Sequence, residues 1–86
     1  MRVQIPSPLH GYSGGASAVD VEGATLADLV ADLDRRFPGI GFRIIDEQDR
    51  IRTHIWFYID GRMVRDTGHP VRPDSDVKIV CALSGG

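Results

Sequence analysis

Few residues of this 86-residue chain have the types and spacing to do chemistry unaided. The chain ends in Ser84-Gly85-Gly86, directly behind an apolar run from Val77 to Leu83. Glycine makes up about 7% of average composition, so a terminal pair arises by chance in roughly 0.5% of chains. Without a Cβ, glycine lets a backbone lie flat in a narrow site and be approached closely. Such a tail presents one reactive group, the α-carboxyl of Gly86, with Gly85 and Ser84 as the segment to be threaded. The competing reading is a frayed end, the default for a terminus.

The other reactive side chains do not assemble into a site. Cys81 is the only cysteine. It sits mid-strand on the inferred core face, where free cysteines behave as small hydrophobes. His10, His54 and His69 lack metal-ligand spacing. Asp46, Glu47 and Asp49 crowd one turn without the pattern of a calcium loop. Gly11-Tyr12-Ser13-Gly14-Gly15 lacks the Lys-Ser/Thr ending of a phosphate loop and precedes a strand instead of a helix. No Ser/His/Asp spacing supports nucleophilic catalysis. The expectation is a non-enzyme without a bound metal or cofactor.

Bulk properties narrow the class. The length fits one domain. A content of 42% apolar and 26% charged residues is ordinary for a globular chain. A net charge of −2 gives no electrostatic reason to expect nucleic acid or an anionic membrane as partner. Arg35-Arg36, Arg62 and Arg65 are too scattered to form a nucleic-acid patch. A lone cysteine excludes an intramolecular disulfide framework. The N-terminal residues lack the apolar core of a signal peptide, and no apolar run approaches a membrane span. A soluble, cytoplasmic domain is expected.

The elements that must position the tail follow from periodicity. Met1, Val3 and Ile5 alternate with polar residues, as do Val19 and Val21, which predicts a hairpin with a long connection. Thr25 opens a helix, with Asp28 completing a weak capping box. Leu26, Leu29, Val30, Leu33 and Phe37 form its apolar stripe, and the charged residues from Asp28 to Arg36 lie mostly off it. Pro38-Gly39 stops it. Ile40–Ile45 reads as a helical turn or an irregular segment. Residues 54–59 are the clearest strand, closed by the tight-turn pair Asp60-Gly61. Met63-Val64 starts the returning strand, residues 66–76 read as loop, and residues 77–83 form the last strand. The order β-β-α-β-β-β predicts an α+β domain, a mixed sheet of about five strands with one main helix on one face.

Alternation assigns the faces. Ile55, Phe57 and Ile59 point to the helix, with Val77, Ile79 and Cys81. The open face then carries Trp56, Tyr58 and Val80 together if the two strands are neighbours. An aromatic cluster of this kind marks an interaction surface, unless the loop 66–76 or a second copy covers it.

The combination resembles the ubiquitin-like sulfur carriers of the ThiS/MoaD family over essentially the whole chain. Five places carry the resemblance: Ile5-Pro6 with Gly14-Gly15, Gly23-Ala24-Thr25-Leu26, Phe37-Pro38-Gly39-Ile40, residues 52–61, and Gly85-Gly86. Within the family, these features in this order look like the sulfur carriers of bacterial cysteine synthesis. Two positions depart. Trp56 stands where that subgroup often has asparagine, and Asp74-Ser75-Asp76 replaces the usual Asp-Gly-Asp turn.

The resemblance implies a β-grasp body over residues 1–83 and a tail over 84–86. It also implies a carrier cycle. An activating enzyme spends ATP with Mg²⁺ to adenylate Gly86, and a sulfur donor displaces AMP to leave a thiocarboxylate. A biosynthetic enzyme then accepts the sulfur. In cysteine synthesis this acceptor is a PLP enzyme holding an activated serine, and a metallopeptidase then frees the product. Cysteine, molybdopterin, thiamin and other sulfur-containing metabolites all remain as destinations. Two rival readings stand beside this one: a ubiquitin-like modifier conjugated through Gly86, and a plain interaction module.

Overall fold

Alternating apolar residues in five short strands, and one apolar stripe on a helix, bury a common core. The computed structural model describes residues 1–82. Its elements are β1 (Arg2–Gln4), a 3-10 turn (Ser7–Leu9), β2 (Ala18–Asp20), α1 (Leu26–Arg36), α2 (Ile40–Ile44), β3 (Ile55–Ile59), β4 (Arg62–Val64) and β5 (Asp76–Cys81). The sheet order is β2-β1-β5-β3-β4. β5 runs parallel to β1 and antiparallel to β3, and the other pairs are antiparallel. This is the ubiquitin-like β-grasp arrangement that the family resemblance implies.

The core gathers Val3, Leu26, Leu29, Leu33, Ile40, Ile44, Phe57, Val77 and Ile79, each 0–2% exposed. Ile55, Phe57 and Ile59 all point into it. Phe37, the last residue of the predicted stripe, caps α1 and packs against this core from its edge. The ambiguous 40–45 segment is a true helical turn because Ile40 and Ile44, four apart, are both fully buried. The last predicted strand is shorter than residues 77–83: β5 ends at Cys81, and Leu83 lies outside the described residues.

Local signals set the helix ends. The Thr25 side chain accepts from the Asp28 N–H at 3.2 Å. Asp28 in turn accepts from the Ala24 N–H at 3.3 Å, one residue before the N-cap, so the box closes one position out of register. Gly23 permits this entry, since a Cβ there would lie 2.6 Å from the Leu29 nitrogen. Gly39 turns the chain out of α1 with φ +100°, beside the ring of Tyr12.

Asp32 departs from the expectation that the charged residues lie off the buried stripe, being only 4% exposed. Its carboxylate accepts from the Glu22 N–H and from Arg36 Nε, both at 2.9 Å, and from Arg35. It thereby ties the chain just after β2 to the middle of α1. The unusual Ser75 turn is also accounted for. Ser75 is buried, its Oγ accepts from the Arg72 N–H at 2.9 Å, and its backbone stays out of the left-handed region.

The acidic turn after α2 is held by Asp46, whose carboxylate accepts from the Gln48 N–H at 2.8 Å and the Arg50 N–H at 3.1 Å. These amides, that of Arg50 foremost, hold the Asp46 carboxyl below the ordinary aspartate range. Asp49 sits in this turn at φ 60°, a conformation that Asp tolerates.

Two stability predictions result. Asp32→Ala takes the acceptor from the part-buried Glu22 amide and costs about 2 kcal/mol, and Asp32→Asn, which keeps an acceptor, costs about half of that. The exposed arginine partners add little. Urea midpoints measure both, and an unchanged midpoint for Asp32→Ala contradicts the clasp. For Asp46 the folded pKa is depressed, so its contribution is complete above the unfolded value of about 3.9 and disappears as pH falls through the folded one. The stability gap between wild type and Asp46→Asn should therefore be constant above about pH 5 and close in stronger acid, as thermal melts across that range would show.

Candidate functional site

The site is built outward from β5, the strand that leads to the tail. Ser84, Gly85 and Gly86 lie outside the described residues. What the structure fixes is where the chain leaves the body. The Ala82 N–H donates to the His54 carbonyl at 2.8 Å, which extends the β5–β3 ladder one step beyond β5. The exit therefore lies at the head of β3, at the opposite end of that strand from the Asp60-Gly61 turn. Arg65 stiffens this end by donating to the carbonyls of Ile51, Arg52 and Ile55, an internal use that removes it from any nucleic-acid patch.

The open face carries the predicted cluster. Trp56 is directly opposite Val80 in the β3–β5 ladder, and Tyr58 is opposite Lys78. Trp56 and Val80 are half-buried and Tyr58 is 37% exposed. Register places Ala18, Gln4, Lys78, Tyr58 and Met63 in one row across all five strands. Met63, 60% exposed, is the member sequence reasoning missed. The signal was present, because a two-residue Asp-Gly turn pairs Ile59 with Arg62 and therefore Tyr58 with Met63.

The loop at 66–76 does not cover this cluster. Its carbonyls at Thr67 and His69 accept from the Ala27 and Leu26 N–H groups, and the Val71 N–H donates to the Ala24 carbonyl. The loop is thus occupied in capping α1, on the other side of the sheet.

The remaining candidates stay apart. Cys81 is half-buried and packs against the core from its edge, less enclosed than its mid-strand position predicts because β5 ends there. His10 uses Nε2 to bond the Ile5 carbonyl at 2.8 Å. Among the described residues no three His, Cys, Asp or Glu side chains gather as a metal site requires. Gly14 and Gly15 have positive φ in a loop closed by buried Ser13, whose Oγ donates to the Ala16 carbonyl at 2.8 Å. No described helix is long and apolar enough to cross a membrane.

Two concavities flank the exit and share Pro8 and Cys81. One, of ≈ 530 Å³, opens beside Lys78 and Val80 between β5 and the segment after β1. The other, of ≈ 380 Å³, lies on the helix side between Tyr12, Arg43, Arg52 and His54. In the second, Arg43 Nε donates to the Tyr12 hydroxyl at 2.6 Å, and the guanidinium lies 5.6 Å from the centre of that ring. Arg52 Nε donates to the Phe42 carbonyl at 2.7 Å, and its guanidinium lies 4.6 Å from the Phe42 ring.

This arrangement has known counterparts. The chain is 30% identical over 89 residues to a protein of Mycobacterium tuberculosis described as sulfur carrier protein CysO, covering 98% of this chain and 96% of that one. A chain in the crystal structure of the Amycolatopsis orientalis BexX/CysO complex superposes with a TM-score of 0.91 at 28% identity, covering 99% of this chain and 98% of the other. SAMP1 from Haloferax volcanii shares the fold, with a TM-score of 0.78 at 22% identity over 99% of this chain and 97% of its own. The profile of the ThiS family matches from Val3 in the first strand through Gly86, so the chain belongs to the ThiS family.

Proposed function

We propose that this protein is a sulfur carrier, a co-substrate of partner enzymes with no catalytic centre of its own. The observation that carries the reading is the family match running through Gly86, behind a body whose central strand is the one that leads to those last residues. In the proposed cycle an activating enzyme uses ATP and Mg²⁺ to join AMP to the Gly86 carboxylate, releasing pyrophosphate. A donor at the oxidation level of sulfide then attacks the acyl carbon. AMP leaves, and the thiocarboxylate remains. Residues 84–86 act as the threaded tail, and residues 1–83 act as the recognition body.

The relatives described as CysO favour cysteine, or another sulfur-containing metabolite, as the destination. For cysteine the acceptor would be a PLP enzyme and the releasing enzyme a metallopeptidase. Trp56, Tyr58 and Val80, with Met63, form the proposed docking face for one of these partners. A two-ring aromatic cluster supplies the rigid apolar area that interface anchors use.

Intact mass spectrometry tests the chemistry. Incubation with the host's activating enzyme, ATP, Mg²⁺ and sulfide should yield a species in which sulfur replaces one terminal oxygen, and deletion of Gly86 should abolish it. Only unmodified carboxylate, with the enzyme shown to be active, would sink the reading. High-mass conjugates lost with Gly86 would favour the modifier reading instead. The docking face is tested with Trp56→Ala, which should weaken binding to a partner by about 2 kcal/mol, or roughly 30-fold, while the chain stays folded. Titration calorimetry measures it.

A further inference from the structure

The charge of this chain is segregated along β5. At the start of the strand, register aligns Asp20, Arg2 and Asp76, and Asp60 joins them by accepting from the Asp76 N–H at 2.9 Å. Five residues later, about 17 Å along the strand, the exit end is the reverse. The two concavities that meet there contain Lys78, Arg43, Arg52, His10 and His54, and no carboxylate, although the larger also reaches back to Arg2 at the start of the strand. The chain as a whole carries −2, so this polarity is local.

The helix-side groove is the better built of the two. Arg43 and Arg52 are each fixed through Nε to an oxygen and set beside an aromatic ring. Neither takes part in an ion pair among the described residues. The nearby Asp46 carboxylate is already engaged with the Gln48 and Arg50 amides. Such guanidinium groups keep their terminal N–H donors for a bidentate acceptor at little further entropy cost.

Geometry says where that acceptor must be. The four residues from Leu83 to Gly86 reach at most about 14 Å beyond Ala82. When Gly86 occupies an enzyme's reaction centre, the exit end of the body must abut the mouth of that centre. We infer that the groove of Arg43 and Arg52 docks on an acidic rim, formed by Asp or Glu side chains, around the tail channel of the adenylating enzyme. The inference rests on the sulfur-carrier reading, because only a threaded tail brings this end of the body to an enzyme. The groove steers and orients the carrier and takes no part in acyl transfer.

Pyrophosphate exchange by the purified activating enzyme of the same host tests this. Exchange that requires wild-type carrier, and is lost without Gly86, is the control on the carrier reading. If it fails, that reading falls and this inference with it. Given exchange, R43E/R52E should raise KM for the carrier about tenfold or more at low salt, with kcat retained. The increase should shrink as ionic strength rises. R43K/R52K should recover most of the loss, and R72E, a single charge reversal of the same kind at an exposed position remote from the exit, should leave KM unchanged. Circular dichroism checks folding. If R43E/R52E unfolds, R43Q/R52Q replaces it, with a smaller rise in KM expected. An unchanged KM, an equal rise with R72E, or a fall in kcat alone would each overturn the inference, the last because it places the groove on the nucleotide and not on a protein rim.

Discussion

The last strand in sequence is the middle strand of the sheet, and the rest of the molecule depends on that placement. β5 shares one edge with β1 in parallel and the other with β3 in antiparallel pairing. Its inward residues Val77 and Ile79 are 0% and 2% exposed, in the same core as the stripe of α1. A slip of one residue would turn Lys78 into that core, so the register is strongly specified. A chain end is ordinarily the least supported part of a domain. Here residues 76–78 are paired on both edges, and the pairing with β3 continues through Cys81 and the Ala82 N–H, so the point of departure of the tail is tied to the core.

The same topology leaves the two faces unequal. One principal helix covers one face of the sheet, and α2 with the capped 66–76 loop completes that layer. No described element is left for the opposite face, where β3 and β5 set Trp56 against Val80. Asp32 contributes from the buried side. By holding the Glu22 amide it fixes the connection from β2 into α1, and thereby how the helix lies on the sheet. The openness of one face follows from how completely the other is occupied.

Much of this was legible in sequence where the signal is local. Period two in residues 55–59, the stripe from Leu26 to Leu33, the Thr25 cap and the Asp60-Gly61 turn each report a short-range preference, and each element forms where it was read. The strand faces followed from alternation alone. What was not legible depends on distant partners. Asp32 reads as a solvated helix residue until Glu22 and Arg36 are brought to it. Arg43 and Arg52 are nine apart in sequence, separated by an acidic turn, and only the fold sets them in one groove beside Tyr12 and His54. Cys81 was placed on the correct face, but its enclosure depended on where the strand ended.

A glycine pair explains how a tail enters a narrow site, and it cannot explain which site. Gly85 and Gly86 have no side chains, so they offer an enzyme only backbone and a carboxylate, features that every carrier with this ending shares. On the sulfur-carrier reading, discrimination must then reside in the body, within the short reach that the tail allows. Specificity is a difference between affinities, so it needs features that the wrong partner meets badly as well as features that the right one meets well. Two chemically distinct surfaces border the exit: the half-buried Trp56 and Val80 on one side of the sheet, and the arginines of the cation-lined groove on the other. An enzyme that matches only one of them leaves either exposed aromatic area uncovered or a guanidinium desolvated without an acceptor. The second of these mismatches is the more costly, since a buried charge without a partner is penalised far more than apolar surface left in water. On that reading the arginine side of the exit would be the side that rejects, and the aromatic side the one that holds.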